Sequence, residues 1–138
     1  MGAEWVYMLK DMICSRIKSE FSDALKKKYK MTDIENFSTE LSKNTKAKFP
    51  FVLVQMLPAY EVGQDIEGTS FNAGMFTFQI DVTDNKSQSR ANEVAFEILK
   101  IMKEMGFQVV SIPNFEYTKD VNRCTARYKR LIGSGDTI

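Results

Sequence analysis

The chain has 138 residues with 19 basic against 18 acidic side chains. That is long enough for one domain with its own core and too evenly charged for a sequence-independent nucleic-acid binder, which carries a marked basic excess. Histidine is absent, which removes the commonest general base and the commonest metal ligand. Cys14 and Cys124 stand far apart with no disulfide framework around them, so both are expected as reduced, half-buried thiols of a reducing compartment. No apolar run approaches the ~20 residues that span a bilayer and no signal peptide is visible, so a soluble chain with no membrane contact is expected.

From Ala3 to about Tyr29 the apolar positions Trp5, Leu9, Met12, Ile13, Ile17, Phe21 and Leu25 recur mostly at gaps of three and four. This predicts one long helix with a single buried stripe. Lys26, Lys27, Lys28 and Lys30 gather at its end, where positive charge opposes the negative pole of the helix dipole. They read as a solvated helix terminus, with a contact to phosphate or an acidic neighbour as the functional reading.

The stretch from Met31 to Lys48 is polar; Asp33–Phe37 reads as a short edge strand and Lys43–Lys48 as an exposed turn. Phe49–Leu57 is almost continuously apolar, with Pro50 placed where a strand begins, and predicts a strand buried on both faces or meeting a partner subunit. Pro58–Gly74, carrying Gly63, Gly68 and Gly74 around a polar centre, reads as a long hairpin loop. Its glycines do not form a phosphate cradle, since no Lys-Ser or Lys-Thr and no helix follow them.

Met75–Thr83 alternates strictly, with Phe76, Phe78, Ile80 and Val82 on one side and Thr77, Gln79, Asp81 and Thr83 on the other. That period belongs to a half-buried strand, leaving one sheet face for a helix and the other polar. Asp84-Asn85 breaks the strand, and Ser87 or Ser89 can cap a second helix with the stripe Ala91, Val94, Ala95, Ile98, Leu99, Met102 and Met105. Gly106 stands where a left-handed stop is expected, and Phe107 follows to pack back on the last turn. A strand Phe107–Ile112, disturbed at Pro113-Asn114 and continuing to Thr118, then meets a tight turn at Lys119–Asn122. The last strand, Arg123–Ile132, sets Cys124, Ala126 and Tyr128 against Thr125, Arg127 and Lys129, and residues 133–138 read as a flexible tail.

This order of helix, strands, helix, strands predicts an α+β single domain: an antiparallel or mixed sheet of four to five strands with two helices packed on one face. Chemistry is harder to find. With no His, and with cysteines isolated from each other, zinc sites and Cys–His nucleophiles both fail on residue type. Asp81 beside Asp84 is the best candidate for a Mg²⁺-holding carboxylate pair, though an exposed strand Asp near a turn is more often simply solvated. No catalytic, metal or cofactor residue is therefore assigned. Arg123, Arg127 and Lys129 form a basic strand, read either as charge that keeps an edge strand from aggregating or as a partner contact. Tyr60, Phe71, Phe115 and Tyr117 fall outside the periodic stripes, and aromatics there are the usual anchors of protein interfaces.

The layout as a whole resembles a known family. A long first helix precedes Phe49-Pro50-Phe51-Val52-Leu53-Val54 and a long loop. Then come the strand Phe76–Val82, a helix ending Met105-Gly106-Phe107, and the closing Arg123-Cys124-Thr125-Ala126-Arg127-Tyr128. This resembles the tail terminator (tail completion) proteins of long-tailed bacteriophages, of the lambda minor tail protein U type. The resemblance implies a non-enzymatic virion subunit, without cofactors, assembled in the host bacterial cytoplasm into a ring, a hexamer in that family. Such a ring caps the head-proximal end of the tail tube, stops its growth and presents a surface to head-completion or connector proteins. DNA passes through its lumen without sequence-specific binding, as near-neutral charge allows.

On this reading the long loop and the polar sheet face would serve ring and tube contacts. A heterologous ring needs two complementary patches, and the chain offers the basic Arg123, Arg127 and Lys129 beside the acidic Glu61, Asp65 and Glu67, with Phe71 as a further interface residue. Three other readings compete: another neck or head–tail joining subunit, a small dimeric ligand-binding regulatory domain, and, last, a carboxylate enzyme using Mg²⁺.

Overall fold

The computed structural model describes residues 4–31, 36–39, 48–62, 73–118, 121–133, 135, 136 and 138. Among them the chain forms α1 (Glu4–Glu20), α2 (Asp23–Tyr29), β1 (Phe37–Ser38), β2 (Phe51–Met56), β3 (Tyr60–Val62), β4 (Ala73–Asp84), α3 (Gln88–Glu104), β5 (Gln108–Thr118) and β6 (Val121–Gly133). The α+β class is as expected, with three helices and six strands in place of the two helices and four to five strands predicted.

The first departure is the predicted single N-terminal helix, which is two. Ser22 leaves the helical region (φ −55°, ψ 124°) and its hydroxyl accepts a hydrogen bond from the Leu25 N–H at 3.4 Å, starting α2 afresh. Serine competes for backbone donors in this way, which is why it favours caps over helix interiors. The break lets Phe21 turn inward against Phe37, ring centroids 5.5 Å apart. It also sends α2 to the start of α3, where Tyr29 donates to Glu93 and Lys28 pairs with Glu93 at 3.5 Å. Part of the lysine cluster thus has an acidic neighbour within the chain. Lys30 closes α2 in the left-handed conformation.

Strand order is β1-β2-β4-β6-β5, with β3 paired to β4 beyond the end of β2. Among the described residues only the β1–β2 pair is parallel, so the sheet is mixed. β2 and β3 lie along the same edge of β4, offset by one extra residue: Met56 opposes Phe78, the Leu57 N–H reaches the Thr77 carbonyl at 2.9 Å, yet Tyr60 opposes Met75. That is a bulge at Pro58-Ala59, where proline lacks a ladder donor. The predicted loop Pro58–Gly74 is correspondingly shorter, since its two ends pair as β3 and β4; residues 63–72 lie outside the described residues, as does most of the predicted edge strand at Asp33–Phe37. β6, read in sequence as a possible edge, is central, flanked by β4 and β5.

All three helices lie on one side of the chain's architecture for simple reasons of burial: Ile13 and Ile17 of α1 and Val94, Ile98 and Met102 of α3 close over Val52, Val54, Phe76, Phe78, Ile80, Val82, Ala126 and Tyr128. α2 adds Leu25 and Tyr29 at the margin of this core. Ser87 caps α3, its hydroxyl accepting from the Arg90 N–H at 3.2 Å. Gly106 stops the helix at φ +86°, and Phe107 then meets Phe78 edge-on at 5.7 Å. β5 runs through the Pro113 region with shifted register on either side of Ser111. Beyond β6, Asp136 accepts from the Gly133 N–H at 2.7 Å, and Arg16 of α1 donates to the Ile138 carbonyl. Among the described residues no helix is long and apolar enough to cross a membrane.

Candidate functional site on the open sheet face

Register decides what the second face of the sheet presents. Pairing Asp81 with both Leu53 and Thr125, and Gln79 with both Gln55 and Arg127, lines up outward side chains in rungs across β2, β4 and β6. β5 extends these rungs with Ser111 beside Arg127, Asn114 beside Thr125 and Glu116 beside Arg123. At the far end, Tyr60, Met75 and Leu131 form an apolar rung across β3, β4 and β6. Two of its members are open to solvent, Tyr60 at 64% and Leu131 at 49%.

At the centre stands Asp81, only 5% exposed although no helix among the described residues covers this face. Its carboxylate accepts from the Thr125 hydroxyl at 2.8 Å, from an Arg123 guanidinium nitrogen at 3.0 Å, and more weakly from the Gln79 amide at 3.4 Å. Gln79 also donates to Gln55 at 3.3 Å and accepts from Arg127 Nε at 3.0 Å. A buried carboxylate persists only with such partners, and here cross-strand register supplies them. Around the network lies a cavity of about 380 Å³, with Phe51, Leu53 and Val121 on its apolar side and Gln55, Gln79, Asp81, Thr83 and Arg123 on its polar side.

Asp84 does not join Asp81. It is fully buried on the helix side, held by Arg90 at 3.3 Å and accepting from the Lys86 and Ser87 N–H groups at 3.1 and 2.9 Å. Strand parity separates them, since positions three apart point to opposite faces. Asp84 instead joins β4 to the start of α3, and Asp81, read in sequence as an exposed, solvated strand residue, is buried. Among the described residues no group of three or more His, Cys, Asp or Glu comes together. Burial pushes the Cys14 thiol up to about 11, helped by the charge of Asp11 and opposed by Lys18; burial also raises Cys124.

Of the residues singled out in the sequence, Arg123, Arg127 and Lys129 share the open face. Arg123 is already engaged by Asp81 of its own chain, while Arg127 is exposed and Lys129 partly so. Glu61 lies exposed on β3; Asp65, Glu67 and Phe71 lie outside the described residues. Phe115 packs against the core and Tyr117 is 66% exposed. Tyr60, singled out as an interface aromatic, is 64% exposed, whereas Thr125, Gln55 and the partners of Tyr60 in its rung, Met75 and Leu131, were missed. The alternation around Thr125 and Leu131 marks their side of β6, but only register shows which neighbours they meet. No protein-family model matches the chain, and no curated protein sequence matches it.

Proposed function

We propose that the chain is the subunit of a bacteriophage tail-terminator ring, a structural virion protein that caps the head-proximal end of the tail tube and presents a surface for head attachment. The observation that supports it best is the open sheet face: one side of the sheet holds the core, while the other carries an ordered polar lattice beside an exposed apolar rung. Side chains fixed in this way before any partner arrives lose little freedom on association, which favours recognition by shape. The sequence resemblance to tail terminators supplies the particular assembly. Tube protein, head-completion protein and further copies of the chain are the partners on this reading, and DNA passes through the lumen unread.

Native mass spectrometry over a concentration series, with negative-stain images of the same samples, tests it. A closed ring with six-fold projections is the expected result. A stable dimer would favour the ligand-binding alternative, to which the cavity beside Asp81 would then belong. A chain that stays monomeric alone and in the presence of purified tail tubes would remove the ring reading.

A further inference from the structure

Resting on the ring reading, we infer that the contact between neighbouring subunits places the outer side of α1 of one copy on the open sheet face of the next. The outer side of α1 is unlike an ordinary solvated helix surface. Tyr7, Met8 and Met12 are 70%, 58% and 43% exposed, and positions 8 and 12 stack one turn apart on the same side. Single exposed apolar residues are unremarkable, but a group of three on one helix is the composition of a contact. The exposed charge beside them is the acid Asp11. Glu20 and Arg16, similarly exposed, pair with each other at 3.1 Å at the end of the helix.

The open sheet face has the complementary composition. Its apolar rung lies beside Arg127 and Lys129; its acids lie toward the other end, where Asp81 is buried against Arg123 and Glu116 stands opposite Arg123 on β5. Apolar with acid on one patch, apolar with base on the other, is the pairing that steers and fixes register between partners. The two patches lie on opposite sides of the sheet, because α1 buries its inner stripe on the helix-covered face. Facing opposite ways, the two patches of one copy do not both meet the same neighbour; the contact continues head to tail, and a rotation that closes makes a ring. The dimensions suit this. A helix of 17 residues runs roughly 25 Å, enough to cross strands spaced ~4.8 Å apart.

The test mixes ¹⁵N-labelled and unlabelled chains, lets them assemble, and applies a zero-length carbodiimide cross-linker. Mass spectrometry should find Lys129 joined to Asp11 or Glu20 in mixed-isotope pairs. Within one subunit these groups lie on opposite sides of the sheet, so such a link is diagnostic. In parallel, Met12→Asp and Leu131→Asp should each raise the concentration for half-assembly at least about tenfold, with circular-dichroism melting little changed because both sites are exposed. Rings in the wild type and in both variants, or links from Lys129 only to Glu61, Asp65 or Glu67 of the neighbour, would overturn the α1 contact and leave the ring standing. A wild-type chain that forms no ring, alone or with tail tubes, would overturn both.

Discussion

The two faces of β4 are built from the same backbone and differ in what holds their side chains. Phe76, Phe78, Ile80 and Val82 are 0–2% exposed and pack into the apolar core beneath the helix layer. Gln79 and Asp81, one residue away in each case, are held by named hydrogen bonds to β2 and β6. The first face is non-directional: any residue of suitable volume and hydrophobicity would serve, at a modest loss of fit. The second is directional, since each donor must meet its acceptor at one register. The comparison assigns stability chiefly to the inner face and recognition chiefly to the outer, and substitutions on either side can break it.

The largest effect is expected at Phe78. Truncation by Phe78→Ala removes a fully buried ring and its edge contact with Phe107, and should lower unfolding free energy by about 3–5 kcal/mol, read from urea midpoints. Asp81→Ala tests whether the outer face also bears on stability. It strands the Arg123 guanidinium and the Thr125 hydroxyl, for which a loss of about 1–3 kcal/mol is expected. Arg123→Ala made in the same background should then add little, and a double-mutant cycle measures that coupling. A strictly additive pair would mean that the lattice is not one unit.

How far these faces were legible beforehand follows from how local their causes are. Ser87 and Gly106 act within a turn of themselves, and both sit where the sequence put them. The alternation of β4 is equally local and predicted its inner face residue by residue. Ser22 carried a signal of the same kind, but the apolar stripe continuing through Phe21 and Leu25 hid it. The partners of Asp81 could not be read, because Arg123 and Thr125 lie more than forty positions away and meet it only through the pairing of β4 with β6. The same dependence on strand order made β6 look like an edge.

Gly106→Ala sharpens the inner side of the comparison. The backbone there is left-handed at φ +86°, and an added Cβ would stand 3.3 Å from Arg130 Nε. A loss of about 1–2 kcal/mol is expected, seen as a lower melting temperature with the helical content of α3 retained.

A smaller effect concerns alkaline pH. The Cys14 thiol, on α1, is raised from an ordinary 9.0 to about 11 by burial first and by Asp11 second. In the unfolded chain the thiol gives up its proton near pH 9, while the folded chain holds it. The unfolded state therefore binds fewer protons in that window, and stability must fall as pH rises from 9 toward 11. Cys14→Ala should flatten this decline in pH-dependent denaturation curves; an unchanged slope would show that the thiol does not contribute.

The smallest effect on folding should come from Arg127→Ala, and it bears most directly on the division between the faces. Arg127 is exposed and donates one bond, from Nε to Gln79 at 3.0 Å. Replacing a side chain so placed should shift stability by no more than about 0.5 kcal/mol, leaving Gln79 its bonds to Gln55 and Asp81. If the outer face exists for recognition, the same change should weaken self-assembly, and Arg127→Glu should weaken it further by reversing the charge that faces the neighbour. Melting curves and native mass spectra on one set of samples separate the two quantities. Loss of assembly at unchanged melting temperature is the expected outcome. Normal assembly of Arg127→Glu would remove this strand from the interface, and a large drop in melting temperature for Arg127→Ala would mean that the outer lattice, like the core beneath it, serves the fold.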